Sequence, residues 1–278
     1  MKKHTGFIGK SLFYLILLLW TVISIFPLYW MILFSFKDNS EIFNKSALSL
    51  PESWNLTNYV EALTKGQMGR YFFNSILVTG VTIFLTLVIA LMASYAVSRL
   101  LWKGRTLLNN IFMLGLTLPI HAALLPVFLI LRSMHMLNTF SSLFIPYTAF
   151  ALAMAIMICN SFMLNIPEEL EESACMDGCG TFGIFFRIIV PLMKPAVSTI
   201  AIFTFLQAWN ELMFATVFVS DSAHRTLTVG MQSLVGTYST NWGPIGAALV
   251  IATIPTVIVY LFMSKKVQDS LVAGAIKG

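Results

Sequence analysis

The sequence predicts an all-α, polytopic membrane protein with six transmembrane helices, and three observations carry that reading. Hydrophobic residues make up 58% of the 278-residue chain and charged residues only 10%, against roughly a quarter charged in an ordinary soluble domain. The apolar residues fall in runs of about twenty or more, as a helix rising 1.5 Å per residue needs to cross roughly 30 Å of hydrocarbon. The charges gather in short clusters between those runs.

The spans expected are residues 11–34, 72–97, 106–131, 142–164, 196–219 and 243–263. The first follows a basic start and resembles a secretory signal, but its apolar run is too long and no small-residue cleavage site follows, so it is expected to remain as a span. The third is interrupted by Pro119, His121 and Pro126; a kinked helix is expected, because neighbouring helices can satisfy the freed carbonyls. No Pro-rich, Gly/Ser-rich or polar run is long enough for a linker, so residues 1–278 read as one transmembrane domain. Within it, residues 165–195 form a long loop and residues 264–278 a tail.

An even number of spans puts both termini on one side. Eleven basic residues fall there, namely Lys2, Lys3, Lys10, Arg99, Lys103, Arg105, Arg187, Lys194, Lys265, Lys266 and Lys277; six fall on the other, Lys37, Lys45, Lys65, Arg70, Arg132 and Arg225. The positive-inside rule makes the richer side cytoplasmic. The net charge of +5 is then a property of membrane loops. Nucleic acid is excluded as a partner, for no basic stripe is interleaved with aromatics. Cys159, Cys175 and Cys179 lack disulfide spacing and a third metal ligand nearby, so they read as reduced thiols with no metal site.

The third cytoplasmic segment holds the densest chemistry. Five of the twelve acidic residues, Glu168, Glu169, Glu171, Glu172 and Asp177, lie in residues 165–195. Pro167 followed by carboxylates is a helix start favoured by the N-terminal dipole. Gly178 can leave the helix at positive φ, after which Thr181 can cap a second short helix that Pro191 ends. Such an elbow suits docking into a partner's groove; a solvated amphipathic loop fits the same residues.

Glu172-Ser173-Ala174, Gly178 and Ile188-Ile189-Val190-Pro191 together resemble the EAA-loop signature of permease subunits of bacterial binding-protein-dependent ABC importers, with Ser173 and Val190 as small departures. The resemblance implies the type I ABC importer permease fold. It also implies that Glu168, Glu171, Glu172, Ala174, Asp177 and Gly178 form a coupling helix and turn seated in a cleft of a separate ATPase. Gln207-Ala208-Trp209-Asn210-Glu211 is similar to the Trp-Asn-Glu segment of carbohydrate permeases, and Val272 to Gly278 resembles the tail of the smaller partner in maltose-type pairs. There Ala273, Gly274, Lys277 and Gly278 would reach the ATPase interface as a flexible peptide. Residues 225–232 and 238–243 resemble the extracytoplasmic loop that meets the binding protein, with Gly236, Tyr238 and Asn241 as candidate contacts. The familiar Asn74-Ser75 pair follows the least similar stretch, residues 35–71.

The resemblance further implies a second homologous permease, an ATPase dimer, an extracytoplasmic binding protein, a mono- or oligosaccharide substrate and residence in the bacterial cell membrane. It implies no cofactor in this chain, with ATP and Mg held by the ATPase. The residues agree on the last point: Gly9-Lys10-Ser11 lacks the glycine of a phosphate loop, His4 standing there, and no buried strand precedes it. No arrangement for catalysis is found in the spans.

Glu211 is the acid well inside an expected span, where a charge costs roughly 3 kcal/mol at the bilayer centre, so it should face protein or water. Gln207, Asn210 and Glu211 stand at helical spacing and would form a polar stripe for sugar hydroxyls. Trp209 could stack on a sugar ring or anchor at the interface. His121 reads as a hydrogen-bonded structural histidine rather than a proton relay. Two other readings stay open on the residues alone: an ion-coupled secondary carrier using Glu211, and a membrane scaffold recruiting a cytoplasmic partner.

Overall fold

A computed structural model describes residues 3–54, 56–236 and 240–275, with the side chains of those between 9 and 263. Among the described residues every regular element is helical. In chain order they are α1 (Lys3–Ser35), α2 (Asn39–Asn44), α3 (Thr57–Thr64), α4 (Met68–Ser98), α5 (Arg105–Leu114), α6 (Leu124–Ser133), α7 (Ser141–Met163) and α8 (Glu169–Met176). Then come α9 (Thr181–Leu192), α10 (Lys194–Trp209), α11 (Met213–Phe218), α12 (Leu227–Gln232) and α13 (Trp242–Ala275).

Among the described residues four helices are long and apolar enough to cross a membrane: Gly9–Ser35 in α1, then α4, α7 and Trp242–Met263 in α13. Counting each of two bent pairs as one span brings the number to six. Arg105–Thr117 meets Ile120–Ser133 at 99°, and α9 meets α10 at 72°. The first bend is sharper than the kink expected. Pro119 forces Leu118 out of the helical region, to φ −77 and ψ 123, because the ring crowds the preceding residue. Short 3-10 turns on either side, Gly115–Thr117 and Ile120–Ala123, complete the corner.

Two further expectations are corrected. The fifth span was expected as one helix over residues 196–219, but α10 stops at Trp209 and α11 is a separate short helix. The expectation that Pro191 ends the helix after the elbow also fails, since α9 runs through it. A helical proline lacks an N–H and clashes with the carbonyl four residues back. Here a π turn over Phe185–Ile189 opens the ladder, with the Val190 N–H donating to the Phe185 carbonyl, and so accommodates the ring.

Two compact units divide the chain, Met1–Gly69 with Gly230–Ile254, and Arg70–Val229 with Pro255–Gly278. In the first, the most apolar window of α1 has no buried residue, so its apolar surface must be covered by lipid or another chain. Residues 35–67 carry the short helices α2 and α3 and a set of buried polar contacts. The buried Asn58 amide donates to the Ser35 and Lys37 carbonyls at 2.9 and 3.0 Å, and buried Lys37 donates to the Ser49 hydroxyl at 3.1 Å. These bonds repay the burial of polar groups.

The second unit has two apolar cores. One gathers Ala90, Ile156, Cys159, Met163, Ile189 and Met193, with alanines at close helix approaches. The other gathers Val78, Leu143, Tyr147, Phe214 and Phe218.

Candidate functional site

The acidic loop folds as an elbow of two helices, α8 and α9, joined by a tight turn. Three acids occupy the first turn of α8, Glu169, Glu171 and Glu172, where the exposed N–H groups favour negative charge. At its other end the Cys179 N–H donates to the Ala174 carbonyl at 2.9 Å and the Gly178 N–H to the Cys175 carbonyl at 3.0 Å, the paired bonds of a Schellman turn. Gly178 supplies the φ of 82 that this turn needs. Gly180, rather than Thr181, takes the N-cap position of α9.

The elbow has an inner and an outer side. Ala174 is buried, and the Glu171 side chain is only 16% exposed. Its carboxylate lies 3.2 Å from Arg99 Nε and accepts a hydrogen bond from the Tyr95 hydroxyl at 3.3 Å. Arg99 also lies 3.1 Å from Glu168 and donates to the Met163 carbonyl at 2.6 Å and to the Ile166 carbonyl. Glu168, Glu169, Glu172, Asp177 and Gly178 are exposed. Beside them stand Leu170, Met176 at 88% and Phe182 at 75% exposure. Sequence reasoning marked the acids but missed these apolar neighbours and Arg99, which it had counted only as a topology signal.

The second cluster surrounds Glu211. Its carboxylate accepts from the Phe214 N–H and the Ala215 N–H, both at 3.1 Å, and from the Tyr147 hydroxyl at 2.9 Å. It thereby caps α11, satisfying orphan amides of its first turn, and this is why the chain leaves the helix after Trp209. The helical polar stripe of Gln207, Asn210 and Glu211 is accordingly corrected: Asn210 is the C-cap of α10, its amide turned back to the Leu206 carbonyl at 2.8 Å. Gln207 lines a shallow cleft with Ala151, Ile158 and Thr204. Trp209 is buried, stacked on Phe205 at 5.6 Å and edge-on to Phe72 at 5.7 Å, which closes its faces to a sugar. His121 lies exposed on a 3-10 turn with its ring 5.9 Å from Phe214.

A third site is a tight turn beyond α11. The Asn138 carboxamide oxygen accepts from the Ser220 and Asp221 N–H groups at 2.7 and 3.1 Å. Asn74 donates to the Ala223 and Arg225 carbonyls at 3.0 and 2.9 Å, and Ser75 accepts from the Leu227 N–H at 2.8 Å. The Asn74-Ser75 pair thus has a function as the anchor of this turn. The Ala223 N–H and then the His224 ring hold the Asp221 carboxyl below its usual range.

Of the remaining candidates, Gly236 is exposed, and Asn241 donates to Glu61 at 3.3 Å. Tyr238, Lys277 and Gly278 lie outside the described residues. Ala273 and Gly274 lie in α13, whose backbone stays helical to Ala275. The flexible peptide expected for the tail is corrected to that extent: no Gly or Pro stands between Met263 and Gly274 to stop the helix.

Residues 86–272 match the family described as binding-protein-dependent transport system inner membrane component. The chain belongs to this family. The permease is 36% identical over 276 residues to the probable ABC transporter permease protein YurM of Bacillus subtilis, covering 99% of this chain and 91% of that one. It is 33% identical to the diacetylchitobiose uptake system permease protein NgcG of Streptomyces coelicolor, with 94% and 87% covered. To the trehalose/maltose transport system permease protein MalG of Thermococcus litoralis it is 35% identical, with 94% of each covered. A chain in the crystal structure of a bacterial ABC transporter that imports alginate shares the permease's fold with a TM-score of 0.82 at 20% identity, over 95% of this chain and 98% of that one. The permease is a multi-pass membrane transport subunit.

Proposed function

We propose that this permease forms half of the translocation pathway of an ATP-driven sugar importer, acting as one transmembrane domain. A second homologous permease, an ATPase dimer and an extracytoplasmic binding protein complete the assembly. Sugar as the substrate class rests on the names of the relatives and on the Trp-Asn-Glu segment. ATP and Mg belong to the ATPase, and this chain needs no cofactor of its own.

The observation that carries the coupling role is the outer side of the elbow. Exposed carboxylates of Glu168, Glu172 and Asp177 stand among exposed Leu170, Met176 and Phe182. Water disfavours large apolar side chains left this exposed, whereas a partner's groove with apolar pockets and a basic rim suits them. Closure of the ATPase dimer would move that groove, and the Schellman turn would pass the motion to the spans as a rigid unit. The excess of basic residues in the loops beside them supports a cytoplasmic side for the elbow and both termini. The tail around Ala273, Gly274, Lys277 and Gly278 would meet the same ATPase, and the Gly236, Tyr238 and Asn241 segment would face the binding protein.

Against an ion-coupled carrier stands the occupancy of Glu211, whose carboxylate serves three protein donors. The test is reconstitution with the neighbouring genes' permease, ATPase and binding protein in liposomes. Uptake is expected to need ATP inside and to survive collapse of the proton and sodium gradients. Uptake by the permease alone, driven by an ion gradient, overturns the proposal.

A further inference from the structure

We infer that Arg99 is the positioning residue that locks the coupling elbow to the α4–α7 helix pair, so that force on the outer face of α8 moves two spans together. The inference rests on the importer reading above for its force, but on geometry for its content. Arg99 follows the last residue of α4, and its side chain is 8% exposed. A guanidinium so buried must have its charge answered, and the carboxylates and carbonyls around it belong to the elbow or its approach. Glu168 and Glu171 lie at 3.1 and 3.2 Å, and the carbonyls of Met163 and Ile166 accept from the same nitrogen, Nη2. The two carbonyls are the end of α7 and the linker into α8, while the two carboxylates are the start of α8 itself. One planar guanidinium thus joins two carbonyls and two carboxylates spread over residues 163–171, which a single ammonium cannot do.

The helices it joins are already laced. Ser94 donates to the Ile156 carbonyl at 3.3 Å, and Ser98 to the Asn160 carboxamide oxygen at 3.0 Å. Asn160 in turn donates to Asn109 of α5 at 2.8 Å. Ser94 and Ser98 share one face of α4 and Arg99 follows at its end, so the contacts climb α7 from Ile156 through Asn160 to Met163 and end on the elbow. Tyr95, from the same turn, adds its hydroxyl to Glu171 and its ring to Phe185 of α9 at 5.2 Å. Both arms of the elbow are therefore fastened to α4. The sequence suggested that the acids of α8 point at the ATPase; the geometry divides them, with Glu171 facing inward to the clamp and Glu172 left for the partner.

The test uses the assembled importer in nanodiscs, with the binding protein loaded from a mixture of maltose, trehalose and diacetylchitobiose. Two quantities are read: the factor by which the loaded binding protein stimulates ATP hydrolysis, and amide hydrogen exchange in residues 167–178. In Arg99→Gln the complex is expected to assemble and to hydrolyse ATP at its basal rate, with stimulation reduced about tenfold and exchange in 167–178 faster by a similar factor. Arg99→Lys keeps the charge but not the fork, and should recover less than half of the stimulation. A purely structural role would lower yield without changing the stimulation factor of the complex that forms. Wild-type stimulation and exchange in Arg99→Gln overturn the inference. Should that variant fail to assemble, Glu171→Gln decides: the clamp predicts a several-fold loss of stimulation, and an unchanged factor overturns it. Absence of stimulation in the wild type would count against the importer reading instead, and the exchange measurement would still decide the clamp.

Discussion

Gly178 turns the elbow at a φ of 82 with open space where a Cβ would stand. The restriction is therefore conformational, and a non-glycine residue there costs about 1–2 kcal/mol, more for a β-branched one. Gly178→Val is expected to uncouple transport and weaken co-purification with the ATPase, whereas Gly178→Asn, which tolerates this region, should keep most uptake. Wild-type uptake in the valine variant would count heavily against the coupling role. Glu211→Ala removes a helix cap worth about 1 kcal/mol and leaves the Tyr147 hydroxyl without its acceptor, at a further 1–3 kcal/mol. Uptake should change and the melting temperature fall while the ATPase still co-purifies; loss of assembly would place Glu211 at the subunit interface instead. The acids of α8 were legible as a group from their spacing. Which of them faces inward was not, because that depends on Arg99, distant in sequence.

At the scale of elements, breaks matter as much as helices. The polar chain Ser98–Asn160–Asn109 ties α4, α7 and α5, and such bonds between membrane helices average about 0.6 kcal/mol in double-mutant cycles. Thermal melting of Asn109→Ala, Asn160→Ala and the double variant should return a coupling of that order, and strict additivity would show the contact to be idle. Near the start of α13, a Cβ on Gly243 would collide with the Asn58 carboxamide. Gly243→Ala should push Asn58 off the Ser35 and Lys37 carbonyls, at about 1–3 kcal/mol of overpacking, measurable as faster proteolysis of residues 35–67. The spans themselves could be read from apolar length, since hydrocarbon thickness fixes it. The end of α10 could not, because Leu212 to Val219 is as apolar as the helix before it, and only the side chain of Glu211, folded onto the next turn, marks the stop.

For the whole molecule, a chain with only 10% charged residues that spans a membrane must place each charge where water, protein or a partner answers it. Its apolar α1 surface and the exposed rim of the elbow are both surfaces that a lone copy leaves uncovered. Purified by itself, the permease should neither hydrolyse ATP nor move sugar, and both activities should return together when the second permease, the ATPase and the binding protein are added; hydrolysis by the lone chain would refute the division of labour.

Composition and hydropathy were enough for membrane residence, for six apolar stretches and, through the EAA-like spacing, for the family, because these depend on local length and order. The fold itself settled where α10 stops, that Trp209 is enclosed by Phe72 and Phe205, and that Glu171 is bound to Arg99. Those outcomes arise from contacts between residues far apart in the chain, where burial forces each charge and each amide to find a partner that no local pattern names.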